Sequence, residues 1–173
     1  GATIGLAGTV FSMLIVKSGV DPMIAGAVVL LIAISIGVFI GSLRVVWGIP
    51  SFITTLGLLS ALRGVAFLIS DGLTIGPMPK GLAWLWYGAI FGVPVPIAFM
   101  LAMILIGWVV LSHTRFGGHL YAVGGNPVTA ARYGVRVDRI RVSVFVIVQV
   151  LAAVAGIFLV SRLDSGSATV GEH

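Results

Sequence analysis

Apolar residues along this chain come in long blocks, and most polar residues gather in the short stretches between them. Ala2 to Val16 is the first block. The turn Lys17-Ser18-Gly19-Val20-Asp21-Pro22 follows, and Asp21-Pro22 suits the cap and first position of a new helix. Met23 to Leu43 carries no charge, and Arg44 ends it. After a connector with an aromatic anchor at Trp47, Pro50 to Ser70 is the third block, Pro94 to Leu111 the fourth and Val142 to Val160 the fifth. A bilayer core about 30 Å thick needs roughly 20 helical residues. The pattern therefore predicts five membrane spans, the first one short, and the expected fold class is an all-α, polytopic transmembrane helical bundle.

The stretches between blocks are equally informative. Residues 71–93 read as a loop punctuated by Gly72, Gly76, Pro77, Pro79 and Gly81, with Trp84, Trp86 and Tyr87 in an interfacial belt or on a short surface helix. Ser161 to His173 reads as a polar tail. Between the fourth and fifth blocks, residues 112–141 form a polar, basic island that holds Arg115, Arg132, Arg136, Arg139 and Arg141 against one acid, Asp138. Within it, Asn126 suits an N-cap, Pro127 a first helical position and Gly134 the left-handed position past a helix end. A two-turn helix over 127–133 is expected. So short a helix is marginal in water alone, so it needs a surface to dock on, its own neighbours or a partner.

Composition places this pattern in lipid. Hydrophobic residues make up 59% of the 173, charged residues 9%, and mean hydropathy is +1.20; a soluble domain is about 25% charged. The 24 glycines would weaken soluble helices but let membrane helices approach closely, as expected for Gly37-Val38-Phe39-Ile40-Gly41. The net charge of +5 reports orientation rather than nucleic acid, because half the basic residues lie in the island. With the island cytoplasmic, alternation puts the Arg44 connector inside, and the Lys17 turn, the 71–93 loop and the tail outside. Six basic residues then face in and three face out. Gly1 to Val16 lacks the basic start of a signal peptide. The chain starts abruptly and stops without a terminal pattern, as expected for part of a longer single membrane domain truncated at both ends.

Candidate chemistry is sparse. There is no cysteine, and His113 and His119 stand six apart in a basic loop without a carboxylate, so no metal site is expected. No Gly-x-x-x-x-Gly-Lys-Ser/Thr loop occurs, so any ATP is handled by another polypeptide. None of the five acidic residues lies mid-membrane, against a proton relay. No paired carboxylates or Ser/His arrangement supports a membrane enzyme. The third block is the most polar, with Thr54, Thr55, Ser60 and Arg63. Arg63 would sit about 20 Å along a helix begun near Pro50, within reach of the far interface by snorkelling. Two readings stay open: a polar path for a hydrophilic solute, or helix–helix hydrogen bonds with a snorkelled arginine.

Three stretches carry a family resemblance. Thr114-Arg115-Phe116-Gly117-Gly118-His119-Leu120-Tyr121-Ala122-Val123-Gly124-Gly125-Asn126-Pro127, then Ala130-Ala131-Arg132-Tyr133-Gly134-Val135, resembles the cytoplasmic loop of ribose/xylose-type sugar ABC transporter permeases. Pro50-Ser51-Phe52-Ile53-Thr54-Thr55-Leu56-Gly57 with Leu62-Arg63-Gly64, and Ser161-Arg162-Leu163 with Ala168-Thr169-Val170-Gly171-Glu172, fit the same family in order and spacing. The resemblance implies a multi-pass permease subunit of the bacterial inner membrane that imports a monosaccharide and catalyses no covalent chemistry. It implies a second permease copy, an extracytoplasmic sugar-binding protein and a cytoplasmic ATP-binding subunit as partners, with ATP bound by that subunit and no cofactor on the permease. It makes 112–141 the coupling loop, with ATPase contact through Gly125, Asn126, Pro127, Ala130, Ala131, Arg132, Tyr133 and Gly134. The residue after Asn-Pro is often acidic in the family and is Val128 here, leaving the electrostatic fit to Arg132 or Arg136. The rival class is a secondary transporter or a non-transporting membrane scaffold, which needs no ATPase.

Overall fold

The structure, a computed structural model, describes residues 1–90 and 92–167. Each apolar block is a helix: α1 (Ala2–Val16), α2 (Pro22–Val46), α3 (Ser51–Ser70), α5 (Val95–His113) and α8 (Val137–Leu163). Four of them are long and apolar enough to cross a membrane, and α1 is shorter. The Asp21 carboxylate caps α2 by accepting from the Met23 N–H at 2.8 Å, with Pro22 next in line. Arg44 does not end α2, which runs on to Val46. Its guanidinium instead reaches forward to the carbonyls of Gly48 and Ile49, at 3.1 and 3.3 Å, and so lies at the helix end without breaking it. The last helix is longer than its apolar block at both ends. At 1.5 Å per residue α8 extends about 40 Å, so its first turns project beyond the hydrocarbon core.

Helix α8 is the axis of the bundle. It runs antiparallel along α2, parallel to α1, and α1 in turn packs on α3. The α2–α8 contact is a backbone contact. A Cβ at Gly37 would sit 2.5 Å from the Val146 Cα, and one at Gly41 2.9 Å from the Val142 Cα. Lipid gives apolar side chains no reason to leave it, so dispersion at such close approach is what holds membrane helices together. Ala25, Val29, Ala33, Phe11, Ala153 and Val160 complete the buried core. One buried polar pair crosses it: the Thr3 hydroxyl donates to Gln149 Oε1 at 2.6 Å.

Helix α5 stands apart. Only Val95 is buried on it, and it meets α8 through the rings of Phe99 and Phe158, 4.9 Å between centroids. Leu101, Ile104, Leu105 and Trp108 are exposed, as fits a helix apolar all round that faces lipid or further helices.

The 71–93 segment is more than a loop. It holds a 3-10 turn (Lys80–Ala83), α4 (Trp84–Tyr87) and a hairpin of β1 (Ala89–Ile90) and β2 (Val93–Pro94), with Ala89 opposite Pro94 and Ile90 opposite Val93. Ile75, Met78 and Leu82 are buried. The segment is tied to the chain after α8. Ile75 and Gly166 exchange backbone hydrogen bonds at 2.8 Å, the Met78 N–H donates to Asp164 Oδ1 at 3.2 Å, and the Ser161 hydroxyl donates to the Leu82 carbonyl. Arg162 lies over the Trp86 ring at 5.2 Å, a cation–π contact. The expected polar tail is therefore folded over Ser161–Ser167. Residues Ala168–His173, with the stretch Ala168–Glu172 that carried part of the resemblance, lie outside the described residues.

The helices sort the loops into two ends. The Arg44 connector and the basic island share one; the Lys17 turn, the 71–94 segment and the post-α8 chain share the other, where Lys17 and Asp71 form an ion pair at 3.9 Å.

Candidate functional site

The island folds into an arm of two helices. Thr114, in extended conformation, ends α5 and begins α6 (Arg115–Gly125). Its hydroxyl donates back to the Val110 carbonyl and accepts from the Gly117 N–H at 3.3 Å, one side chain serving both helices at a sharp bend. The bend is close enough that a Cβ at Gly117 would collide with the Leu111 carbonyl. The sequence reading missed α6 because four of its eleven residues are glycine, each costing roughly 1 kcal/mol against Ala in a helix. The available signal was the threonine cap before Arg115.

Asn126 repeats the device. It ends α6 after Gly125 and caps α7 (Pro127–Arg132), its Oδ1 accepting from the N–H groups of Val128 and Thr129, both at 3.0 Å. Pro127 takes the first position. At the other end Gly134 adopts φ +83°, the Gly134 N–H bonds to the Ala131 carbonyl at 3.0 Å and the Val135 N–H to the Ala130 carbonyl at 3.1 Å. That is the paired closure of a Schellman motif. Both helix ends are thus satisfied within one short segment, and the helix stands where 127–133 was expected, one residue shorter.

The helix anchors itself through one residue. Ala130 is buried, 5% exposed, against the body of the protein, whereas Val128 is 63% and Tyr133 86% exposed. Ala131, Arg132 and Gly134 are also on the open side. The eight residues from Gly125 to Gly134 expected at the coupling element therefore form one continuous feature.

The four polar residues of α3 do not. At 100° per residue Thr54, Thr55, Ser60 and Arg63 spread around the helix. Thr54 is buried, with its hydroxyl directed to the Pro50 carbonyl at 3.4 Å, and Thr55 bonds the Phe52 carbonyl at 3.1 Å. Ser60 is exposed and Arg63 half-buried. Of the four, only Thr55 lines the cavity of about 180 Å³ between α1, α3 and α8, which Thr3 and Gln149 also line. Gln149 was legible as the one amide in the last apolar block, and the sequence reading passed over it. His113 packs edge-on against Trp108 at 4.9 Å. Among the described residues no three His, Cys, Asp or Glu side chains come together where they could hold a metal.

Apolar helices joined through glycine contacts, with a folded arm at the basic end, define this chain as a multi-spanning α-helical membrane protein. It belongs to the family described as branched-chain amino acid transport system / permease component, whose model matches residues 1–172. The ribose import permease protein RbsC of Escherichia coli (strain K12) is 33% identical over 178 residues, covering 99% of this chain and 54% of that protein. RbsC of Bacillus subtilis (strain 168) is 34% identical, with the same coverage of 99% and 54%. The L-arabinose transport system permease protein AraH of Escherichia coli (strain K12) is 39% identical over 118 residues, 68% of this chain and 36% of that protein. The chain spans about half the length of the ribose permeases it matches. No solved structure matches it.

Proposed function

We propose that this chain is part of the membrane-spanning subunit of an ATP-binding-cassette importer for a monosaccharide in a bacterial inner membrane, with α7 as its contact to the cytoplasmic ATP-binding subunit. The observation that carries the reading is the contrast within α7: closed at both ends by hydrogen bonds, yet offering Val128 and Tyr133 to the outside. A helix fixed in this way transmits a push instead of absorbing it. When the ATPase subunits close on ATP, the force enters at Tyr133 and Arg132, passes through Ala130 and Asn126 into α6 and α8, and reaches the bundle. Arg132 and Arg136 supply the charge for that contact, since Val128 supplies none. A second permease copy would complete the path, and an extracytoplasmic binding protein would deliver the sugar to the end that holds the 71–94 segment. Sugar specificity belongs mostly to that protein.

Gly134→Val and Ala131→Glu test the reading in the full-length transporter. Valine is poorly tolerated at φ +83° and opens the far end of α7; glutamate puts a charge on its open face. Both are expected to leave membrane insertion intact, lower sugar uptake at least tenfold and uncouple it from ATP hydrolysis. Unchanged sugar-stimulated hydrolysis and uptake in both variants would sink the assignment, and so would failure of the permease to co-purify with any P-loop ATPase.

A further inference from the structure

A cavity of about 420 Å³ opens at the basic end, between the underside of α6, the first turns of α8, the end of α2 and the start of α3. Its floor is apolar, built from Leu120 and Val123 of α6 and Val144 and Phe145 of α8. Its rim is cationic: Arg44 and Arg141 both line it, with the Ser51 hydroxyl beside them. Both arginines are half-buried. The Arg44 head is held in place by one nitrogen, Nη1, bonded to the carbonyls of Gly48 and Ile49, which leaves Nε and Nη2 for a ligand. Among the described residues no carboxylate lines the cavity. Among the described residues the one ion pair is Lys17–Asp71, at the opposite end of the bundle.

Two partly desolvated guanidiniums call for an anion. The floor decides which kind. A free phosphate or a nucleotide would satisfy the rim and leave the apolar floor facing water. An amphipathic anion satisfies both. The depth agrees, because Arg44 is in the last turn of α2 and Arg141 in the second turn of α8, where headgroups meet acyl chains. Basic pockets between spanning helices on the cytoplasmic side are suited to anionic headgroups. We propose that this cavity binds an anionic phospholipid of the inner leaflet, its phosphate between Arg44 and Arg141 and an acyl chain along Val144 and Phe145. The lipid is then a wedge beneath α6 and holds up the arm that carries α7. The site rests on the membrane fold and does not depend on what α7 touches.

The test uses the full-length permease in neutral detergent, titrated with phosphatidylglycerol or phosphatidylcholine and read by native mass spectrometry. One phosphatidylglycerol per permease copy is expected, and phosphatidylcholine is expected not to compete. The Arg44→Gln/Arg141→Gln pair should bind roughly 30-fold more weakly, about fivefold for each cation near an anionic leaflet. The matched pair Arg115→Gln/Arg139→Gln, both exposed on the same end, should change it less than twofold. Arg44→Lys/Arg141→Lys should keep binding within about fivefold of the parent, which shows that the glutamine pair loses charge and not fold. The proposal is overturned if the parent takes up no phosphatidylglycerol, as when another segment or a second copy fills the cavity. It is equally overturned if both glutamine pairs weaken binding alike, if the lysine pair fails as completely as the glutamine pair, or if millimolar inorganic phosphate displaces the lipid.

Discussion

Replacing Asn126 with Ala removes the two hydrogen bonds that start α7, from the N–H groups of Val128 and Thr129 to Oδ1. Loss of an asparagine cap costs about 1 kcal/mol and up to about 2. Little else offsets that loss, because α7 has six residues and only Ala130 is buried. A helix so short draws little stability from its own cooperativity. The cap therefore sets the equilibrium between closed and frayed α7, and 1–2 kcal/mol corresponds to a roughly 5–30-fold increase in the frayed fraction. Amide hydrogen exchange in the full-length permease reads this directly. The N–H groups of Ala130, Tyr133 and Gly134, bonded to carbonyls within the arm, should exchange roughly 5–30 times faster. Amides in the middle of α8 should not change. Asn126→Asp, an equally good cap, should restore parental exchange. Sugar imported per ATP hydrolysed should fall in the alanine variant and recover in the aspartate one. Unchanged exchange in Asn126→Ala would refute the reasoning, since α7 would then be held by something other than its cap.

Three further outcomes are expected. Gly37→Leu drives a side chain into the Val146 backbone and should cost at least the 1–3 kcal/mol of an overpacked core, seen as a lower thermal midpoint in detergent; Gly26→Leu, where a Cβ meets nothing within 4 Å, should leave the midpoint in place. Thr3→Val and Gln149→Leu should show a coupling energy of about 0.6–1.7 kcal/mol in a double-mutant unfolding cycle, and a coupling of zero would mean the buried pair contributes nothing. Tyr133→Cys and Leu73→Cys, both at exposed positions, should react with a membrane-impermeant thiol reagent from opposite sides, Tyr133→Cys from the cytoplasm; labelling from one side would break the orientation drawn from the arginines.

The helices were legible because lipid imposes length and apolarity, and several edges fall at a proline or aspartate, as at Asp21, Pro50 and Pro94, whereas Arg44 and the arginines flanking the last block lie inside helices. Helix α7 was legible from three residues, Asn126, Pro127 and Gly134, whose backbone preferences agree. What stayed hidden depends on partners distant in sequence. Four glycines speak against α6 locally, and it forms because the Thr114 bend sets it against the end of α5. The bridge of Ile75 to Gly166 has no local signature. Nor does hydropathy say that α8 lies at the centre and α5 at the side, since neither sets a polar face opposite an apolar one. Gly37 and Gly41 pointed to a close contact without naming the helix that makes it. On α3 the hydroxyls counted as candidate path residues mostly bond their own helix, a use that composition cannot distinguish from lining a pore.

The glycine seam between α2 and α8 also bears on how the chain is made. Gly37 and Gly41 enter the membrane well before the residues that fill the space above them, Val142 and Val146, have been synthesised. About 100 residues separate the two sides, which at about 5–20 residues per second is an interval of roughly 5–20 s. Over that interval α1 and α2 sit in lipid with an unfilled groove, and the Thr3 hydroxyl waits for Gln149. Helix α8 fills the seam on α2, so a chain released before α8 leaves α1 and α2 without the neighbour that their small residues pack against.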